Sequence, residues 1–323
     1  MAELPAHRGR RVSGDLVSFT PVTGPARTRR PSARRTVDTS ALTALAPVAA
    51  VLPVFLLAIG VVWLVVRLAW DVPYWWFAAG YAGAVVLLFL RPVQQFLLAP
   101  LLGARRPTRA ERVALEPAWR PVLQVNDLPQ RRYVLAVQPS PEVNAFACGG
   151  HLVVVTSFAV TSLPRDELSG VLAHELSHHL GLHTVALTLS QWLSVPVLLL
   201  ARIGFFLQNV AKAATSSFAS HSSALTAVGR LVALVLTAVS WVFLSGLLLA
   251  NALANAVGRN AEFQADRRVV EMGFGRPLAL ALRRVVAMNG SDLPATWAER
   301  LAATHPPART RVARIDALLR QRR

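Results

Sequence analysis

His174-Glu175-Leu-Ser-His178 is an HExxH pattern. Residues four apart on a helix share one face, about a turn apart, so the two imidazoles can converge on one Zn²⁺. Glu175, beside the first of them, can reach a metal-bound water as general base. The flanks support a helix over about 162–181. Ser162-Leu-Pro164-Arg-Asp166-Glu167 reads as an N-cap followed by Pro and acids in the first turn, and Leu168, Val171, Leu172 and Leu176 form an apolar stripe at helical spacing.

A catalytic zinc needs a third protein ligand and one open position. A histidine ten residues after His174 would be one source, but that position is Thr184, with His183 one residue away. A downstream carboxylate is the other. Six acids follow His183, and two of them, Glu262 and Asp266, stand four apart in Asn260-Ala-Glu262-Phe-Gln-Ala-Asp266-Arg267. On a helix one can bind the metal while the other accepts the N–H of a ligating histidine and sets its tautomer. Paired instead with Arg267 or Arg268, the same two acids make an ordinary solvated helix face.

These residues must be positioned by an unusually apolar chain. Of 323 residues, 54% are hydrophobic and 16% charged, and mean hydropathy is +0.43. That composition indicates an integral membrane protein. Net charge is +17, almost all from Arg, with Lys212 the one lysine. The basic segments lack interleaved aromatics, so no nucleic-acid partner is expected; a cytoplasmic bias of positive charge, aided by anionic lipid, accounts for them. One cysteine, Cys148, excludes an internal disulfide.

Residues 1–40, with eight Arg and three acids, read as a disordered basic cytoplasmic tail that can meet anionic lipids. Uncharged runs at 39–66 and 72–90, joined through Pro73-Tyr74-Trp75-Trp76, make a transmembrane hairpin over 41–103. Residues 104–183 form the first part of a folded domain. It contains strands at Tyr133–Gln138, Val143–Cys148 and His151–Thr156, the last two flanking a Gly149-Gly150 turn, and then the HExxH helix. Residues 184–258 read as a second hairpin, interrupted by Arg202 and a small polar stretch at 211–224. Residues 259–323 carry helices near 259–272 and 276–288 and a third from about Pro307. The fold class is thus mainly α and membrane-integral, with four transmembrane helices and a cytoplasmic α+β domain bearing a small β-sheet. Both termini lie on the basic, cytoplasmic side of the cell membrane.

Four blocks in order resemble the HtpX-type membrane zinc metalloproteases, of the superfamily that includes the type I CaaX prenyl proteases. They are Asn144-Ala-Phe-Ala147, His174-Glu175-Leu-Ser-His178, Glu262-Phe-Gln-Ala-Asp266, and Thr304-His305-Pro306-Pro307 with Arg311. The likeness spans roughly 41–320. It implies a gluzincin-like domain with one Zn²⁺ per chain held by His174, His178 and Glu262, and water activated by Glu175. Asp266 would partner a ligating histidine. Asn144 and Ala145 would pair with extended substrate backbone, and His305 and Arg311 would stabilise the oxyanion. The implied activity is endopeptidase cleavage of membrane or membrane-proximal polypeptides in quality control. Cys148 and His183 depart from the family pattern without touching a ligand.

Rival readings remain. A CaaX-type prenyl-protein protease is close kin but needs more spans. An intramembrane protease would carry HExxH inside a span, whereas Arg165, Asp166 and Glu167 precede it here. A non-catalytic zinc-containing sensor or scaffold would have no use for Glu175.

Overall fold

The computed structural model describes residues 44–181, 183–218, 222–289 and 306–322. The basic tail and His305 lie outside the described residues. Helix α1 (Ala46–Arg67) starts with Pro47 in its first turn, where a missing N–H costs nothing. Its end is tied to the next helix by Trp63, whose indole N–H donates to the Val72 carbonyl at 2.7 Å. Helix α2 (Tyr74–Leu87) has 14 residues. The apolar run does not continue straight to Leu90: the chain bends by 75° into α3 (Arg91–Leu101). The bend lies at Leu90, whose backbone turns extended (φ −71, ψ 132), and Pro92 falls in the first turn of the helix after it, where its missing N–H costs nothing. Residues Gln94–Leu98 of α3 are π-helical.

Helix α4 (Arg109–Val125) opens on a full capping box between Thr108 and Glu111. Arg105 adds a bidentate pair to the Glu111 carboxylate at 2.7 and 2.8 Å. A three-stranded sheet follows: β1 (Val134–Gln138), β2 (Ala145–Cys148) and β3 (Leu152–Thr156), in the order β1-β3-β2. The Gly149-Gly150 hairpin forms as expected, with β2 antiparallel to β3 and Cys148 opposite Leu152. β1 pairs with β3 in parallel, Val134 opposite Leu152. Gly149 sits at φ +61 with the Gln94 amide pressed against it, so both its conformation and its missing Cβ are used. Gln94 Oε1 in turn accepts from the His151 N–H at 2.9 Å, tying α3 to the hairpin.

Helix α5 (Ser157–Ser162) leads to α6 (Arg165–Leu180), which carries HExxH. The expected N-cap is displaced. Ser162 gives its hydroxyl to the Phe158 carbonyl at 2.6 Å, closing α5, while α6 begins after Pro164 with no side-chain cap. Asp166 and Glu167 still occupy its first turn, where carboxylates favour the helix dipole. Helix α7 (His183–Phe218) runs through Arg202 and Pro196 as one 36-residue helix, taking in residues 211–218 of the small polar stretch. Helix α8 (Ser223–Met272) is a single 50-residue helix. The separate helix expected near 259–272 is its C-terminal end, closed by Gly273 at φ 92. Helices α9 (Gly275–Asn289) and α10 (Ala308–Gln321) complete the described chain.

Among the described residues three helices are long and apolar enough to cross a membrane, or four if the bent α2–α3 pair is one span. α1 packs on α7 and α8 through Val51, Phe55, Ala58, Ile59, Val197, Ala201, Phe243 and Leu247. A separate core gathers Leu168, Leu172 and Leu176 of α6 with Trp119 and Val122 of α4, Val153 and Val155 of β3, Val269 of α8, Leu278 of α9 and Ile315 of α10. Each such side chain contributes about 1.5–3 kcal/mol on burial. Gly170 lets α6 touch the backbone of Leu278, where any Cβ would collide.

Candidate active site

Helix α6 supplies two imidazoles one turn apart, and the C-terminal part of α8 lies across them. His174 Nε2 is 3.1 Å from His178 Nε2. Glu262 Oε2 is 3.2 Å from His174 Nε2, and its Oε1 is 3.2 Å from His178 Nε2. The ligating atoms of these three residues all lie within 4.8 Å of one another. Among the described residues this is the one group of His, Cys, Asp and Glu that could hold a metal ion. His183 begins α7 and is not a member.

The donor set itself tests whether a metal fits. Three lone-pair-bearing atoms facing one another at such distances repel unless a proton or cation lies among them. Burial and the Arg311 guanidinium push the His174 imidazole down, yet Glu262 and Asp266 more than offset them and lift it to about 9. Two imidazole nitrogens and one carboxylate, all seeking positive charge, are the donors of a catalytic divalent-metal site. Glu175 sits on α6 directly after His174 and is 6% exposed. A carboxylate is rarely buried to that extent without a task or a partner.

Asp266 and Arg311 form the layer behind. Asp266 Oδ1 is 3.1 Å from His174 Nδ1, the nitrogen turned away from His178. That contact selects the tautomer whose Nε2 lone pair points to the metal position. Arg311, near the start of α10, donates to both oxygens of Asp266, from Nε at 3.0 Å and from NH2 at 2.7 Å. Its NH1 lies 3.0 Å from Glu262 Oε2. Three helices far apart in sequence are thereby joined by one buried guanidinium. The Asp266–Arg311 pair is the feature that sequence reasoning missed. The only signal for it was Arg311 in the block with Thr304-His305-Pro306-Pro307, which says nothing about its partner.

His179, the residue after the motif, also has a place. Its Nε2 meets the Leu152 carbonyl at 3.0 Å and its Nδ1 meets the Thr184 hydroxyl at 3.2 Å, joining α6 to β3 and α7. On the far side of α6, Glu167 accepts both nitrogens of Arg284 on α9 at 2.8 Å.

β2 is one edge of the sheet and packs beside α6. Asn144 faces β3, its carbonyl accepting from the Thr156 N–H at 2.9 Å. Strand alternation then turns the backbone of Ala145 away from β3, along the free edge. Asn144 and Ala145 therefore stand on a strand edge beside the catalytic helix. His305 belongs to the segment outside the described residues, which ends one residue before Pro306.

Known proteins bear on this geometry. A protein called Protease HtpX homolog from Salinibacter ruber is 27% identical to this chain, covering 75% of it and 90% of that protein. Homologs of the same name from Gemmatimonas aurantiaca and Acidiphilium cryptum are each 29% identical, over 57% and 58% of this chain and 68% and 67% of their own lengths. Among solved structures, the crystal structure of S. mikatae Ste24p aligns with a TM-score of 0.49 at 16% identity, over 82% of this chain and 61% of that one. Residues 108–319 match the profile of peptidase family M48. That stretch includes the HExxH helix, Glu262, Asp266 and Arg311, and takes in well over half of the 323 residues. The chain belongs to peptidase family M48.

Proposed function

We propose that the chain is a zinc-dependent endopeptidase that hydrolyses peptide bonds of membrane or membrane-proximal proteins on the cytoplasmic side. The observation that carries this reading is the convergence of His174 Nε2, His178 Nε2 and Glu262 within 4.8 Å, with Glu175 the next residue on the same helix. When bound there, zinc supplies a Lewis acid that polarises the scissile carbonyl and acidifies water.

The chain's own residues do the rest. Glu175 takes the proton of the attacking water and later delivers it to the leaving amine. Asp266 holds His174 in its metal-facing tautomer. Arg311 has its nitrogens against Asp266, Glu262 and the His174 ring, NH2 lying 3.2 Å from His174 Nδ1 and 3.1 Å from its Nε2. We therefore assign it to orienting those two carboxylates, and leave the oxyanion contact first considered for both residues to His305. Extended substrate adds to the free edge of β2 through the backbone at Asn144 and Ala145.

In the same reading α1, the bent α2–α3 pair, α7 and α8 are four membrane spans. Arg-rich segments at both ends of the chain keep the termini and the peptidase domain in the cytoplasm. The basic tail adds contact with anionic lipid. Protein quality control rests on the HtpX resemblance alone.

The test is zinc stoichiometry on detergent-purified protein, wild type beside Glu262→Ala, with casein cleavage on the same samples. One zinc per wild-type chain, its loss in the variant and chelator-sensitive cleavage support the site. Retention of both zinc and cleavage by Glu262→Ala rejects Glu262 as ligand. Zinc without cleavage in wild type moves the reading to a sensor or scaffold.

A further inference from the structure

A second concave site lies away from the metal cluster. A cavity of about 540 Å³ opens between α3, the exposed face of α4 and the beginning of β1. Five arginines line it: Arg91, Arg106, Arg112, Arg120 and Arg131, against one acid, Glu116. None of the five forms an ion pair among the described residues. Trp119 and Tyr133, 5% and 4% exposed, form its floor.

Positive-inside bias explains arginines near a membrane, but it does not gather five of them around one hollow. A sphere of this volume has a radius of about 5 Å, below the Debye length of about 8 Å at physiological salt. An anion at its centre therefore lies within a Debye length of the surrounding wall and can meet several of the guanidinium groups together. Guanidinium forks suit phosphate oxygens in particular.

The surroundings say which phosphate. Arg91 follows directly on the apolar α2, at the bend of the candidate span. Phe96, Leu97 and Leu101 of α3 are 65%, 50% and 63% exposed, and the Arg106 guanidinium lies 5.1 Å over the Phe96 ring. Charge and apolar surface thus adjoin on one element, as a ligand with a phosphate and acyl chains requires. We propose that this cavity binds the phosphate headgroup of an anionic membrane lipid, its chains lying along α3. The site is independent of the peptidase reading. It also offers a physical link to it, since Tyr133 stacks at 5.1 Å on His179 of the catalytic helix.

The experiment is thermal-shift titration of the detergent-purified full chain with dihexanoyl phosphatidylglycerol, dihexanoyl phosphatidylcholine, and glycerol phosphate. Three proteins are compared: wild type, Arg112→Gln/Arg120→Gln/Arg131→Gln, and the equally charged control Arg230→Gln/Arg276→Gln/Arg320→Gln. Saturable stabilisation of wild type by the anionic lipid only is expected. The cavity variant should bind it more weakly by about fivefold per arginine removed, and the control as wild type does. Single Arg120→Gln and Arg131→Gln variants, at exposed positions, give the same reading in smaller steps if the triple does not fold. Equal binding by wild type and the cavity variants overturns the proposal, and so does an equal loss in the control, which means diffuse attraction. A response to glycerol phosphate matching that to the lipid overturns the lipid assignment in favour of a free phosphate.

Discussion

Asp266→Asn keeps the shape of the side chain and removes its charge. In the wild type, one carboxylate meets His174 Nδ1 at 3.1 Å and accepts from Arg311 at 2.7 and 3.0 Å. An asparagine amide cannot serve all three contacts. If its oxygen takes the place of Oδ1 it still meets His174 Nδ1 and the Arg311 NH2 group, but its NH₂ faces the Arg311 Nε–H; if it turns over, its NH₂ faces His174 Nδ1 and selects the wrong tautomer. Asp266 is 1% and Arg311 7% exposed, so water cannot repair the mismatch. Removing one partner of a buried ion pair costs about 3–5 kcal/mol. The Glu262 contact to Arg311 at 3.0 Å holds part of the charge balance, so the lower end, about 3 kcal/mol, applies here. Losing the carboxylate behind a ligating histidine weakens metal binding by about 10- to 100-fold. The assay is zinc competition against a chromogenic chelator, with thermal unfolding on zinc-free and zinc-loaded samples. The double variant Asp266→Asn/Arg311→Leu should recover part of the stability, because it removes the stranded cation, but none of the zinc affinity. A single variant with zinc affinity within twofold of wild type and unchanged unfolding would refute the argument. So would a double variant whose losses simply add.

Glu175→Gln should keep full zinc stoichiometry and lose cleavage by about 10²- to 10⁴-fold, as measured on casein; residual activity near wild type removes Glu175 as the base. Ala145→Pro deletes one N–H on the free edge of β2. It should lower kcat/KM by up to about tenfold while leaving zinc binding and unfolding intact, and an unchanged kcat/KM argues that substrate does not add to that edge. Glu111 concerns stability rather than catalysis. Arg105 holds its carboxyl down to about 2, burial opposing and Thr108 assisting. With the folded-state value below the unfolded one near 4.5, its contribution is full above pH about 4.5 and fades as pH falls toward 2. Melting of wild type and Glu111→Gln should therefore differ most at pH 7 and draw together as pH falls through that window; a gap at pH 3 as large as that at pH 7, or larger, contradicts the pairing.

Much of the site could be read from local pattern. The HExxH spacing puts His174 and His178 on one face because a helix repeats every 3.6 residues, and no tertiary contact is needed to know it. Gly149-Gly150 between two β-branched runs marks a hairpin for similarly local reasons. Uncharged runs of Ala, Leu and Val announce membrane-length helices by hydropathy alone. Where local rules compete, the reading slipped: Ser162 is a good N-cap, but it is used to close α5, and Pro164 starts α6 unaided. Arg202 and the small polar stretch at 211–224 read as interruptions of a hairpin, yet α7 continues unbroken to Phe218. The long apolar run and the acidic helix after it looked like separate elements. In the fold they are one rod, because no Gly or Pro breaks Ser223–Met272 apart from Gly229, Gly246 and Gly258, which a packed helix absorbs.

What composition and spacing determined is therefore the chemistry on offer: two imidazoles on one turn, a carboxylate beside them, and a set of acids downstream with Glu262 and Asp266 on one helical face. Which acid meets the imidazoles, and which stands behind them, was a question of distance between residues about ninety positions apart. Only the crossing of α8 over α6, and the insertion of Arg311 from α10 between them, decided it. Sequence periodicity describes one element at a time, whereas ligand convergence is a relation among three. That relation is set by the packing of Leu168, Leu172, Leu176, Val269 and Ile315 in the common core.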